Sequence, residues 1–127
     1  MDLRRAALYI ARTRVGWGIV MMVTPRLAFG PVYGAGAASP GAKAIGRMMG
    51  AREAALGAGA AIATGERRGS ANWVSMIAFV DGVDAVVNLA SPKLGWRGRA
   101  LGVLAAASAV SHLALAKRLA AEVDAAS

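Results

Sequence analysis

Four apolar stretches of helix length run along this 127-residue chain, and two of them carry charges near their middles. One contains Gly46-Arg47-Met48-Met49-Gly50-Ala51-Arg52-Glu53-Ala54-Ala55-Leu56-Gly57, the other Asp81-Gly82-Val83-Asp84. In water such charges would turn to solvent. In a bilayer each unpaired charge at mid-span costs about 2.5–3.5 kcal/mol on insertion scales, so the helices must be arranged to bring the charges together. Composition favours lipid over the rival reading, a soluble Ala-rich bundle. Hydrophobic residues make up 57% of the chain and charged residues 17%, where a soluble domain has about 45–50% and about 25%. Much of the apolar content is Ala and Gly, which lets helix backbones approach closely.

Taken in order, the first helix is expected over about residues 3–23. Its opening Asp2-Leu3-Arg4-Arg5 is like the n-region of a signal peptide, but Arg12 and Arg14 interrupt any longer apolar core, which argues against cleavage. Arg5, Arg12 and Gly16 share one helical face. Arg12 and Arg14 are read first as snorkelling to headgroups; the sharper reading turns one of them inward to meet a buried acid. Thr24-Pro25-Arg26 ends this helix. Residues 27–38 hold Pro31 and three Gly and read as a non-helical stretch at the interface, with Phe29 and Tyr33 at headgroup depth.

Ser39-Pro40 is a strong helix start, Ser as N-cap and Pro where no N–H is needed. The second helix runs to about residue 64, with Gly65 as its stop. Gly46, Gly50, Glu53 and Gly57 are spaced four, three and four apart and form one stripe. The small-xxx-small pattern of Gly46 and Gly50 marks that stripe as a packing seam and places Glu53 in it. The third helix is expected over about 71–90 with Trp73 as an interface anchor. On it, Ile77, Asp81, Asp84 and Asn88 make a polar stripe of the same spacing. After Ser91-Pro92 and a loop holding Trp96, a fourth helix covers about 98–122 and carries Ser108 and His112.

The fold expected is therefore all-α. It is a single membrane domain over residues 1–127, a four-transmembrane-helix bundle whose short links make successive helices antiparallel. Basic residues at Arg4, Arg5, Arg12, Arg14, Arg67, Arg68, Lys117 and Arg118 outnumber those at Arg26, Lys43, Lys93, Arg97 and Arg99. The positive-inside rule then puts both termini in the cytoplasm. The net charge of +8 sits at segment ends rather than on one face, which suits lipid headgroups and argues against nucleic acid. Arg-over-Lys usage and abundant Ala suggest a bacterial source, and hence a multi-pass protein of the plasma membrane.

For the intramembrane charges the expectation is a network. Glu53, Asp81 and Asp84 face one another's helices and share arginine partners drawn from Arg52, Arg47, Arg12 and Arg14. A functional reading of the same residues is a proton relay or cation path, with Asp81 and Asp84 sharing a proton and His112 and Asn88 extending the path. The structural reading is preferred, because paired charges commonly fix register in small bundles. With one His and no Cys there is no zinc or di-iron ligand set, and no cofactor is expected.

At Arg47-x-x-Gly50-x-Arg52-Glu53-x-x-Leu56-Gly57, with Thr24-Pro25-Arg26 closing the first helix and Asp81 in the third, the chain resembles the DoxX-like group of small bacterial membrane proteins. The resemblance implies a four-span fold and an association with redox or stress-linked membrane complexes, and it transfers no catalytic residue. The function expected is that of a non-enzymatic accessory or assembly subunit of a larger membrane complex, or of a homo-oligomer, with the bilayer and other membrane subunits or itself as partners. A small proton-coupled transporter using the buried acids is the alternative, and a quinone-binding redox component a weaker one.

Overall fold

A computed structural model of the chain describes residues 2–66 and 69–125. Arg67 and Arg68, two of the basic residues behind the expected topology, lie outside that set. The described residues form α1 (Leu3–Val23), α2 (Pro25–Tyr33), a 3₁₀ turn (Gly34–Ala38), α3 (Pro40–Gly65), α4 (Ser70–Leu89), a 3₁₀ turn (Pro92–Leu94) and α5 (Gly95–Asp124). The protein is all-helical. Among the described residues, three segments are long and apolar enough to cross a membrane: Leu3–Val23, Ser70–Leu89 and Pro92–Val123.

The helix starts follow local chemistry. Asp2 caps α1 by accepting from the Arg4 amide at 3.1 Å. Ser39 caps α3 by accepting from the Ala42 amide at 3.2 Å, with Pro40 at the first position. Three expectations need correction. Residues 27–38 are helical rather than irregular. Pro25 opens α2 where it forfeits no hydrogen bond, and Phe29 and Tyr33, one turn apart, hold their rings 5.9 Å apart on the same face. Gly65 stays inside α3, and Gly69, which precedes α4, is left-handed at φ 68°. The last helix begins at Gly95, because the Pro92–Leu94 turn, closed by Gly95 at φ 63°, reverses the chain early.

Close backbone approach organises the packing. A Cβ on Gly18 would lie 2.6 Å from the Gly50 carbonyl oxygen, and one on Gly50 would lie 2.6 Å from that of Gly18. One on Gly57 would lie 2.7 Å from the Ala11 carbonyl. These contacts set α1 antiparallel to α3 with almost nothing between the backbones, as small-residue seams allow. Gly46 instead receives the Phe29 ring and Pro25 of α2, at 2.8 and 3.0 Å from a built Cβ. On the other side of the bundle α4 packs along α5, and Gly102 lies under Leu89 and Asn88.

The apolar core sits towards the end of the bundle that holds the start of α1. There, Ala11, Leu56, Ala60 and Ile77 join α1, α3 and α4, while Ala7, Val74, Ala116 and Leu119 join α1, α4 and α5. Trp73 lays its ring over Gly59 of α3, so it packs inward as well as marking the start of α4. Large apolar side chains cover the exterior, Phe79 at 73% and Val110 at 69% exposed among them. That surface matches a hydrocarbon environment.

Candidate functional site

The face of α1 that meets the other helices is Ala7, Ala11, Arg14, Gly18 and Met21, at steps of four, three, four and three. All but Arg14 are buried outright. Arg14 thus enters the bundle along a row of small residues, and Gly18 and Gly50 bring its helix close enough for it to reach across. Its Nε lies 2.6 Å from Glu53 Oε2. Its two terminal nitrogens take the two Asp81 oxygens, Nη1 at 3.2 Å from Oδ2 and Nη2 on Oδ1. Such a fork matches carboxylate geometry, which a lysine cannot do.

A second arginine closes the other half. Arg52 is bidentate on Asp84, Nη2 at 2.6 Å from Oδ2 and Nη1 at 3.2 Å from Oδ1, and its Nη2 also lies 3.2 Å from Glu53 Oε1. Glu53 therefore sits between the two guanidiniums. From α5, the Ser108 hydroxyl donates to Asp81 Oδ2 at 2.6 Å. His112 Nδ1 lies 2.8 Å from the Ser108 carbonyl and 3.3 Å from Asp81 Oδ2. A carbonyl can only accept, so Nδ1 carries the proton. Asn88 donates from Nδ2 to the Asp84 carbonyl at 2.8 Å, which fixes its amide and leaves Oδ1 as a free acceptor. Asn88 Oδ1, His112 Nε2 and Arg52 Nε are buried without a hydrogen-bond partner, as is Arg14 Nε, which meets Glu53 as an ion pair only.

The expected network therefore exists in part as read. Glu53, Asp81, Asp84, Arg52 and Arg14 come together, His112 joins Asp81, and Asn88 joins Asp84 through its backbone. Two expected members do not take part. Arg12 is exposed on the outer face of α1, two residues from Arg14 and so turned well away from it. Arg47 is also exposed, and its Nε donates at 3.3 Å to the Met22 carbonyl at the end of α1 rather than to an acid. Asp81 and Asp84 do not share a site, since each takes its own arginine. Gly46, Gly50, Glu53 and Gly57 are all buried in the seam. Gly18 and Ser108 were not assigned these roles from the sequence. The small-residue row through Arg14 is the signal that locates Gly18.

The cluster forms the floor of a cavity of about 450 Å³, walled by Trp17, Phe29, Val32, Tyr33, Leu101 and Leu104. α2 closes it on the side away from the apolar core. Burial raises the Tyr33 phenol above its ordinary pKa, and the negative charge of Asp84 adds to the shift. Among the described residues no group of three or more His, Cys, Asp or Glu side chains is placed to hold a metal. What the arrangement does chemically is hold two guanidiniums and three carboxylates in mutual contact across α1, α3 and α4, with α5 attached through Ser108 and His112. The chain matches no protein-family model, no curated protein and no solved structure.

Proposed function

We propose that this chain is a four-span integral membrane protein of a bacterial plasma membrane, non-enzymatic, and an accessory or assembly subunit of a larger membrane complex or of its own oligomer. The observation that carries the reading is that every carboxylate of the cluster lies against an arginine from another helix. Three unpaired acids would cost several kcal/mol in a bilayer; paired, they clamp helices that the Ala and Gly faces alone hold weakly. The polar chemistry is thereby committed to architecture. Besides the members of this cluster, Thr64 is a buried polar residue among those described, and it bonds its own helix at the Ala60 carbonyl, 2.7 Å away. That favours a clamp over a proton path crossing the bundle.

α3 is the fourth span in this reading. It falls short in hydropathy because Lys43, Arg47, Arg52 and Glu53 lie in it, yet it is 26 residues long and buries more residues than α1 or α4. The start of α1 and the end of α5 then lie on one side, which Ala7 packing with Ala116 and Leu119 supports, and the positive-inside rule makes that side the cytoplasmic one in this reading. The DoxX-like resemblance agrees with a four-span accessory protein. The test is purification from native membranes in mild detergent, with mass spectrometry of what is retained. Larger membrane proteins at fixed stoichiometry are expected. Elution of the chain alone, with proton flux in liposomes that Asp84→Asn abolishes, would replace this reading with the transporter.

A further inference from the structure

Ion pairing alone does not account for the cavity above the cluster. α1 and α5 meet at the end where Ala7 packs with Ala116 and Leu119. Towards the other end the cavity lies between them, and its lining side chains there face outward, Trp17 of α1 at 50% and Leu104 of α5 at 67% exposed. In a bilayer that gap opens sideways into lipid. The volume, about 450 Å³, falls within the range of roughly 300–1,000 Å³ typical of small-molecule sites. A polar floor under aromatic and aliphatic walls suits an amphipathic occupant.

The floor selects the sign of its charge. Arg14 and Arg52 supply two positive charges against the three negative ones of Glu53, Asp81 and Asp84, so with His112, the further titratable neighbour of this group, in its neutral form one negative charge is left over. An uncompensated charge is costly at this depth. Independently, Asn88 is 8% exposed, lines the cavity, and has its Oδ1 acceptor fixed and unpartnered. A free buried acceptor calls for a donor or a cation. Trp17, Phe29 and Tyr33 add ring faces that attract positive charge.

We infer that the cavity binds a membrane-dissolved organic monocation, its charge beside Asp84 and Asn88 and its apolar body against Trp17 and Phe29, entering from the bilayer between α1 and α5. This ligand site goes beyond the assembly role and does not depend on it. An anion would instead use Arg52 Nε, a donor on the same wall with neither a hydrogen bond nor a carboxylate against it.

Two probes of one shape and opposite charge separate these cases: tetraphenylphosphonium and tetraphenylborate, each titrated calorimetrically into the full-length protein in mild detergent. Saturable, stoichiometric phosphonium binding is expected, with the borate at least about tenfold weaker. Asn88→Leu should weaken phosphonium binding by about tenfold or more while helical content and thermal midpoint stay unchanged. Asp84→Asn should do the same where it folds, and quenching of tryptophan emission by a brominated phosphonium should be lost in Trp17→Phe. Equal uptake of the two ions, tighter binding of the borate, or an Asn88→Leu variant that binds like wild type would each overturn the assignment. None of these outcomes bears on co-purification with partner subunits.

Discussion

Replacing Arg14 by Met tests how much of the fold rests on the cluster. The Arg14 side chain is 12% exposed and touches Glu53 and Asp81, whose side chains are 8% and 7% exposed. Two carboxylates fully stranded in hydrocarbon would together cost about 5–7 kcal/mol on insertion scales. Neither is stripped bare, however. Glu53 keeps Arg52 at 3.2 Å, and Asp81 keeps the Ser108 hydroxyl at 2.6 Å. The expected loss is therefore about 3–5 kcal/mol, the range found when one partner of a buried pair is removed. Unfolding of the protein by dodecyl sulfate in mixed micelles, followed by circular dichroism, reads this directly. The triple variant Arg14→Met/Glu53→Gln/Asp81→Asn should recover at least half of the loss, since the stranded charges are gone. A single variant within about 0.5 kcal/mol of wild type, or a triple variant no better than the single, would refute the reasoning.

Other substitutions divide along the same lines. Gly18→Ala and Gly50→Ala should each destabilise by about 1–3 kcal/mol through overpacking, while Gly16→Ala, inside α1 with nothing within 4 Å of its built Cβ, should not destabilise and should gain up to about 1 kcal/mol in the same assay. Arg12→Gln should stay within about 0.5 kcal/mol of wild type, in contrast to Arg14→Met. Tyr33 has a raised pKa in the folded protein, so its contribution is complete below the free phenol value of about 10 and is lost as pH rises through the folded value. Alkaline unfolding should accordingly be steeper in wild type than in Tyr33→Phe, and absorbance titration of the folded protein should show a late-ionising phenol that the variant lacks.

Much of this architecture was legible because two spacing rules carried it. The four-three-four step of Gly46, Gly50, Glu53 and Gly57 named a buried seam, and the same step placed Asp81 and Asn88 on the inner face of α4. What was not legible came from partners in space. Arg12 and Arg14 look alike in sequence, and only the row Ala7–Ala11–Gly18–Met21 distinguishes the inward one. Arg47 sits beside the Gly seam, yet the end of α1 offers it a carbonyl before any acid is in reach. Helix α2 was hidden by its Gly and Pro content, although Pro25 stands where proline favours a helix and Phe29 and Tyr33 are one turn apart. The cavity is lined from all five helices, and such an assembly in space is encoded by no local pattern.

The central claim is that α3, despite its charges, crosses the bilayer and holds Glu53 between the two arginines. The chain contains no cysteine, so single cysteines introduced at Asp2, Ser39, Ser70, Ser91 and Ala125 can be labelled in intact cells with a membrane-impermeant maleimide. Labelling of Ser39→Cys and Ser91→Cys from outside, with Asp2→Cys, Ser70→Cys and Ala125→Cys protected until the membrane is opened, is the result this account predicts. Finding Ser39→Cys and Ser70→Cys on the same side would take α3 out of the bilayer and contradict it.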